Sequence, residues 1–243
     1  ELEKALYFAH EGRKGPVLID VPDDIQRMDI NHNFLKPFKV RKFIKSSQLK
    51  LFKRKIEKFK GFLKNSKRPL FIIGNGVKVS NCEKEVKKLI KKLNIPYIPT
   101  WACLDTFLSS TELNAGTFGV AATRYGNFAI QNSDLLIGMG VRLSSQLMGS
   151  NSYTFSPKSK KILIDIDKNE FKNHRLPKIN LKINGDIKDI IKLLLKNNFD
   201  LNNYNKSIWI KLINNYKKKF PICTKKNYDL KKFVDPYAFF NEL

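Results

Sequence analysis

Cysteine and histidine are scarce in this 243-residue sequence, at three residues each. Cys82, Cys103 and Cys223 lie far apart and form no C-x-x-C, which argues against a disulfide framework or zinc site and suits a reducing, cytoplasmic setting. His10, His32 and His174 likewise fall at no metal-ligand spacing. No apolar run approaches the roughly 18–20 residues of a membrane span and no signal peptide opens the chain, so no membrane partner is expected. The G-x-S-x-G, Walker and H-E-x-x-H signatures are missing, which removes the usual grounds for nucleophilic, NTPase or zinc hydrolase chemistry. Arginine is also short: the formal charge is +24, yet only eight of the 46 basic residues are arginines. Arginine is favoured for bidentate phosphate and base contacts, whereas these lysines are spread along a chain rich in Asn and Ile, as in an AT-biased coding sequence. Nucleic acid is therefore not an expected partner.

What the chain does contain is a set of short, wholly apolar runs that end in polar or glycine residues. Lys161-Ile-Leu-Ile-Asp165-Ile-Asp167 closes on two carboxylates. Leu70 to Ile73 runs into Gly74-Asn75-Gly76, and Leu135 to Met139 into Gly140-Val141-Arg142. Strands buried on both faces read as continuous hydrophobics, and ligands of open α/β sheets bind at the carboxyl ends of such strands.

Around these runs the pattern alternates. Strands are predicted at 70–74, 97–99, 134–139, 161–166 and 179–183, and helices at about 81–93, 119–132 and 186–196. This predicts a three-layer, Rossmann-like (doubly wound), mostly parallel sheet with helices on both faces. Ahead of it, residues 2–12 predict a helix with Leu2, Leu6 and Ala9 on one face, and Pro16 to Pro22 predicts a short buried strand. Residues 31–46 suit a linker. A helix starting at Ser47, capped by Ser46 or Ser47, carries Leu49, Phe52, Ile56, Phe59 and Leu63 at spacings of three and four. Residues 206–220 predict another amphipathic helix, with Trp209, Leu212, Ile213, Tyr216 and Phe220 on one side. The start at Glu1 and the helix-like ending from Tyr237 to Leu243 read as an internal piece of a longer protein.

Several loops have two readings. Gly74-Asn75-Gly76 is either a tight strand-to-helix turn or a loop whose amides approach a phosphate; Val79 stands where a dinucleotide fingerprint needs its third glycine. Gly116-Thr117-Phe118-Gly119, before a helix containing Ala121, Ala122 and Gly126, permits either close helix packing or passage of an extended ligand. Arg142 past its strand can pair with a diphosphate. Asp165 and Asp167 are either surface acids or acceptors for ribose hydroxyls. Three such strand ends in one sheet favour a binding crevice.

The order of the pieces resembles the thiamine diphosphate-dependent enzymes, particularly the acetolactate synthase branch. Gly12 to Gln26, Arg68 to Gly76, Tyr125 to Ile137, Lys161 to Asp167 and Gly185-Asp186 carry the resemblance, over most of residues 2–196. It implies four segments: residues 1–30 as the tail of a pyrimidine-binding domain, 31–64 as linker and connecting helix, 65–200 as the central nucleotide- or FAD-binding domain, and 201–243 as a linker helix leading into a truncated diphosphate-binding domain. It further implies a full-length enzyme that decarboxylates a 2-oxo acid on thiamine diphosphate and Mg2+ and passes on the acyl unit, working as a homodimer or homotetramer. The activating glutamate and the magnesium motif would lie outside this chain, which then has no catalytic residue and no metal ligand of its own. In that branch the central domain holds FAD, and the matching positions are Gly74, Gly76, Gly116, Gly119, Gly140, Arg142, Asp165, Asp167 and Asp186. Two departures stand out: the branch's Gly-Met-His-Gly reads Gly119-Val120-Ala121-Ala122, and its Phe-Asp-Asp-Arg reads Leu143-Ser144-Ser145-Gln146. Gly185-Asp186 with Asn214-Asn215 mimics the family's magnesium motif, but Ile187 replaces its third glycine and a helix begins at once. The alternatives are a simple 2-oxo acid decarboxylase with an empty central domain, or a non-catalytic nucleotide-binding module.

Overall fold

The computed structural model describes residues 1–39, 45–107, 111–172, 178–201, 204–229 and 232–243, with the backbone alone at His32, 45–51 and Lys206. His174 and Arg175 lie outside the described residues, as does part of the predicted 31–46 linker. The chain divides into two compact units, Glu1–Leu51 and Phe52–Leu243.

The smaller unit opens with helix α1 (Leu2–His10). Tyr7 and Phe8 pack on Phe38, and the Phe38 amide donates to the Glu3 carboxylate at 2.8 Å. A short helix α2 (Asp23–Gln26) follows. The expected buried strand at Pro16–Pro22 is corrected: the segment is in no strand, and Leu18 is 91% exposed. An apolar run becomes a buried strand only where a neighbouring edge supplies its ladder and side chains cover both faces. The described part of this unit supplies no such strand.

The larger unit is built on five strands: β1 (Pro69–Ile73), β2 (Tyr97–Pro99), β3 (Leu135–Met139), β4 (Lys160–Asp165) and β5 (Leu181–Asn184). All pair in parallel, in the order β2-β1-β3-β4-β5. Every residue of β1 and β3 is buried, as their unbroken apolar sequence demands. The α-helices that accompany them are α3 (Lys45–Lys64), α4 (Gly76–Val79), α5 (Glu83–Leu93), α6 (Arg124–Asn132), α7 (Ser145–Met148), α8 (Ile187–Lys196), α9 (Lys206–Lys219) and α10 (Pro236–Glu242). β1 leads to β2 through α5 and β2 to β3 through α6, in opposite directions along the sheet, so crossovers of the usual right hand set the two helices on opposite faces; α5 meets α8 and α6 meets α9. The fold is therefore the three-layer α/β arrangement expected.

Local chemistry fixes the ends. α5 starts on Glu83 and Glu85, finishes on Lys91 and Lys92, and stops at Asn94 in the left-handed conformation, φ 51°. Phe52, Ile56, Phe59 and Leu63 of α3 are buried, as their spacing requires. Trp209 of α9 is buried, and its indole N–H donates to the Pro69 carbonyl at 2.9 Å, tying that helix to the start of β1. α6 begins five residues later than expected, because Thr123 takes the N-cap position and its hydroxyl accepts from the Gly126 amide.

Candidate functional site

The strand order reverses between β1 and β3, so the topological switch point lies at their carboxyl ends. Ile73 is in register with Met139, and Met139 with Ile164. Gly74, Gly140 and Asp165 thus stand on one edge of the sheet. Gly185 and Asp186 follow β5 on the same edge, whereas Gly116 and Gly119 belong to the connection between β2 and β3.

Each glycine amide in this set already donates a hydrogen bond. Gly74 N–H reaches Met139 O at 2.9 Å, Gly76 N–H reaches Gly140 O at 3.0 Å, and Gly140 N–H reaches Ile164 O at 2.9 Å. Gly116 and Gly119 donate to the side-chain oxygens of Asn114 and Asn127, at 2.6 and 2.9 Å. Gly140 has φ 56°, and a Cβ there would stand 2.6 Å from the Gly76 α-carbon. The glycines after β1 and β3 let two backbones interlock. On the other connection, Asn127 returns a bond to Gly119 O at 3.0 Å, and Thr117 O accepts from the Thr123 hydroxyl at 2.9 Å. A Cβ on Gly126 would stand 1.9 Å from Thr117 O, so close packing requires glycine there, whereas Ala121 and Ala122 precede α6 and are exposed and half-buried.

The three aspartates shape the turns after their strands. Asp165 accepts from the Asp167 amide at 2.9 Å, Asp167 from Asn169 at 2.9 Å, and Asp186 from Lys188 at 2.7 Å as the N-cap of α8. Asn214 and Asn215 lie inside α9. Arg142, just past β3, is held by Glu170: its Nε and Nη2 donate to one carboxylate oxygen at 2.9 and 2.7 Å. Glu170 is largely buried, at 12% side-chain exposure, while Arg142 is 58% exposed. Arg142 also borders a cleft of about 870 Å3, lined further by Ser144, Ser145, Asn151, Ser152 and Tyr153.

Sequence reasoning did not pick out this hydroxyl-rich cleft, although Ser144-Ser145 and Ser150-Asn151-Ser152 carry a legible signal. It could not find Glu170, which meets Arg142 only through the fold. Elsewhere, burial pushes the Cys82 thiol up to about 12 and the Cys103 thiol up to about 11, leaving neither as a ready nucleophile. Among the described residues no group of three or more His, Cys, Asp or Glu is placed to hold a metal ion, and no helix is long and apolar enough to cross a membrane.

Of the nine predicted positions, the cleft lining brings in Arg142 alone, beside several hydroxyls, and Arg142 is already paired with Glu170. A guanidinium, several hydroxyls and three carboxylates share or border the carboxyl edge, whereas the glycine amides face their own chain.

Residues 56–194 match the sequence model described as "Thiamine pyrophosphate enzyme, central domain". The whole chain is similar to the acetolactate synthase large subunit of Cyanidium caldarium, 31% identical over 254 residues, covering 100% of this chain and 41% of that protein. The corresponding large subunit of Porphyra purpurea is 30% identical, covering 92% of this chain and 38% of that protein. The chloroplastic acetolactate synthase of Arabidopsis thaliana is 28% identical, covering 92% and 33%. This chain thus spans about two fifths or less of the length of the curated relatives it matches. With the β1/β3 switch point, the Asn132-Ser133-Asp134 step into β3 and more than half of its length within that central-domain match, the chain belongs to the thiamine pyrophosphate enzyme family, on its acetolactate synthase-like side.

Proposed function

We propose that this chain is the middle portion of a thiamine diphosphate-dependent enzyme that decarboxylates a 2-oxo acid and ligates the acyl unit to an acceptor. Similarity to acetolactate synthases along the entire chain carries this reading. Thiamine diphosphate and Mg2+ would be held by other domains, between subunits of at least a homodimer. In the intact protein, release of carbon dioxide from a 2-oxo acid that requires added thiamine diphosphate tests the proposal. A protein inert under those conditions overturns it.

For the central domain, the reading is that FAD or an ADP-like nucleotide lies along the carboxyl edge as a structural cofactor. Arg142 would meet the diphosphate, helped by the hydroxyls of Ser144 and Ser145. A carboxylate can accept up to about four hydrogen bonds, so Asp165, Asp167 and Asp186 can serve their turns and a ribose hydroxyl together. The bound group would supply its adenine and diphosphate as a packing element; the chain supplies position and charge.

One observation favours the second reading, a decarboxylase with an empty central domain: the amides of Gly74, Gly76 and Gly140 donate to the backbone carbonyls of Met139, Gly140 and Ile164, and Arg142 is paired with Glu170. Visible flavin absorbance of the purified intact protein, followed by titration with FAD and with ADP, separates the two. A colourless protein that binds neither leaves the empty domain.

A further inference from the structure

A cavity of about 360 Å3 opens beside the edge strand β2, walled by Ile90 of α5, Tyr97 of β2, and Phe107 and Leu113 of the loop beyond it. Its volume falls within the roughly 300–1,000 Å3 of small-molecule sites, whose walls are likewise mostly apolar with a few placed polar groups. Tyr97 and Phe107 meet edge to face, with centroids 5.8 Å apart, so these two rings hold each other in place. One polar point is fixed in the lining, where the Tyr97 hydroxyl and the Thr111 hydroxyl share a hydrogen bond of 2.9 Å.

The mouth is cationic. Lys87 and Lys91, one helical turn apart on the exposed side of α5, both line the cavity, and the Lys87 ammonium stands 5.4 Å from the centre of the Phe107 ring. Of the acids in the flanking loop, Asp105 pairs with Lys78 at 2.7 Å. Among the described residues, neither Lys87 nor Lys91 takes part in an ion pair. A largely apolar chamber behind two ammonium groups complements a hydrocarbon body with one negative end.

We infer that this cavity is a binding site for a small amphipathic monocarboxylate, with its aliphatic or aromatic body against Ile90, Tyr97 and Phe107 and its carboxylate at Lys87 and Lys91. The site lies at β2, at the edge of the sheet, rather than at the β1/β3 switch point, and it does not depend on the cofactor proposed for that point.

The test is calorimetric titration of the intact protein with octanoate and with its neutral counterpart 1-octanol. Octanoate is expected to bind about tenfold more tightly, and the Lys87→Glu/Lys91→Glu variant, changed only at exposed positions, to reverse that preference. Ile90→Trp, which fills the chamber, should abolish binding of both. Absence of octanoate binding, equal affinities, or a preference that survives charge reversal would each overturn the site. A charge-reversed protein that alters its subunit assembly while keeping its octanoate affinity would overturn it too, and would give the groove to a second copy of the chain.

Discussion

A Cβ built on Gly74 would stand 2.1 Å from the carbonyl oxygen of Gly140. The obstacle is backbone that is itself fixed, since Gly140 O accepts from Gly76 N–H at 3.0 Å. Gly74→Ala should therefore lower stability by at least about 3 kcal/mol, the upper end of core overpacking. The same change at Gly61, on the exposed face of α3 with nothing within 4 Å, should raise it by about 0.5–1 kcal/mol. Urea denaturation of the two variants checks the opposite signs.

Asp134 gathers three donors onto one carboxylate: the Ser66 hydroxyl, the Lys67 amide at 2.8 Å and the Arg68 amide at 2.9 Å. It thereby joins the entrance of β3 to that of β1. Asp134→Asn turns an NH2 group toward at least one of these donors, and should cost about 1.5–3 kcal/mol. Ser66→Ala, which removes one donor and leaves the carboxylate, should cost about 1 kcal/mol. A thermal shift no larger for Asp134→Asn than for Ser66→Ala would refute the clamp.

Lys161 is buried at the start of β4, with its ammonium donating to Ser156 O at 2.7 Å and Ser159 O at 3.1 Å. Burial holds its pKa below the ordinary lysine value. Between the folded and the unfolded pKa the unfolded chain binds more protons, so this lysine makes stability rise as pH climbs toward about 10.4. Lys161→Met should flatten that rise. Urea midpoints of both proteins across mildly alkaline pH measure the difference, and identical slopes would show that the lysine does not titrate in this window.

If a nucleotide occupies the carboxyl edge, Glu170 competes with it for Arg142. Glu170→Gln should then tighten ADP binding by up to about fivefold, since a partly exposed ion pair is worth at most about 1 kcal/mol. Arg142→Ala should weaken it. Titrations in which both variants match the parent would remove Arg142 from the nucleotide site.

The sheet was legible because its strands carry their own signature. Leu70 to Ile73 and Leu135 to Met139 are apolar at every position, and only two-sided burial explains that. The same signature misled at Val17 to Val21, where the residues match a buried strand but the described unit gives them no neighbour. Loop glycines were legible as necessary but not as to purpose: Gly74 and Gly140 are 66 positions apart, and no local pattern announces that each must make room for the other. Asp165, Asp167 and Asp186 stand where a ligand acceptor would, and each also serves a turn two residues on. The Arg142–Glu170 pair shows the general limit, because side-chain partners brought together by tertiary structure leave no spacing rule in the chain.

The parallel pairing of β1 with β3 has a consequence for biosynthesis. β1 leaves the ribosome long before its inner neighbour, for Asp134 follows Arg68 by 66 residues. At about 5–20 residues per second, the nascent chain spends roughly 3–13 s with the Leu-Phe-Ile-Ile segment lacking its β3 edge partner. An unpaired apolar strand edge is prone to aggregate, so slowing translation between residues 74 and 134 should lower the soluble yield of this protein.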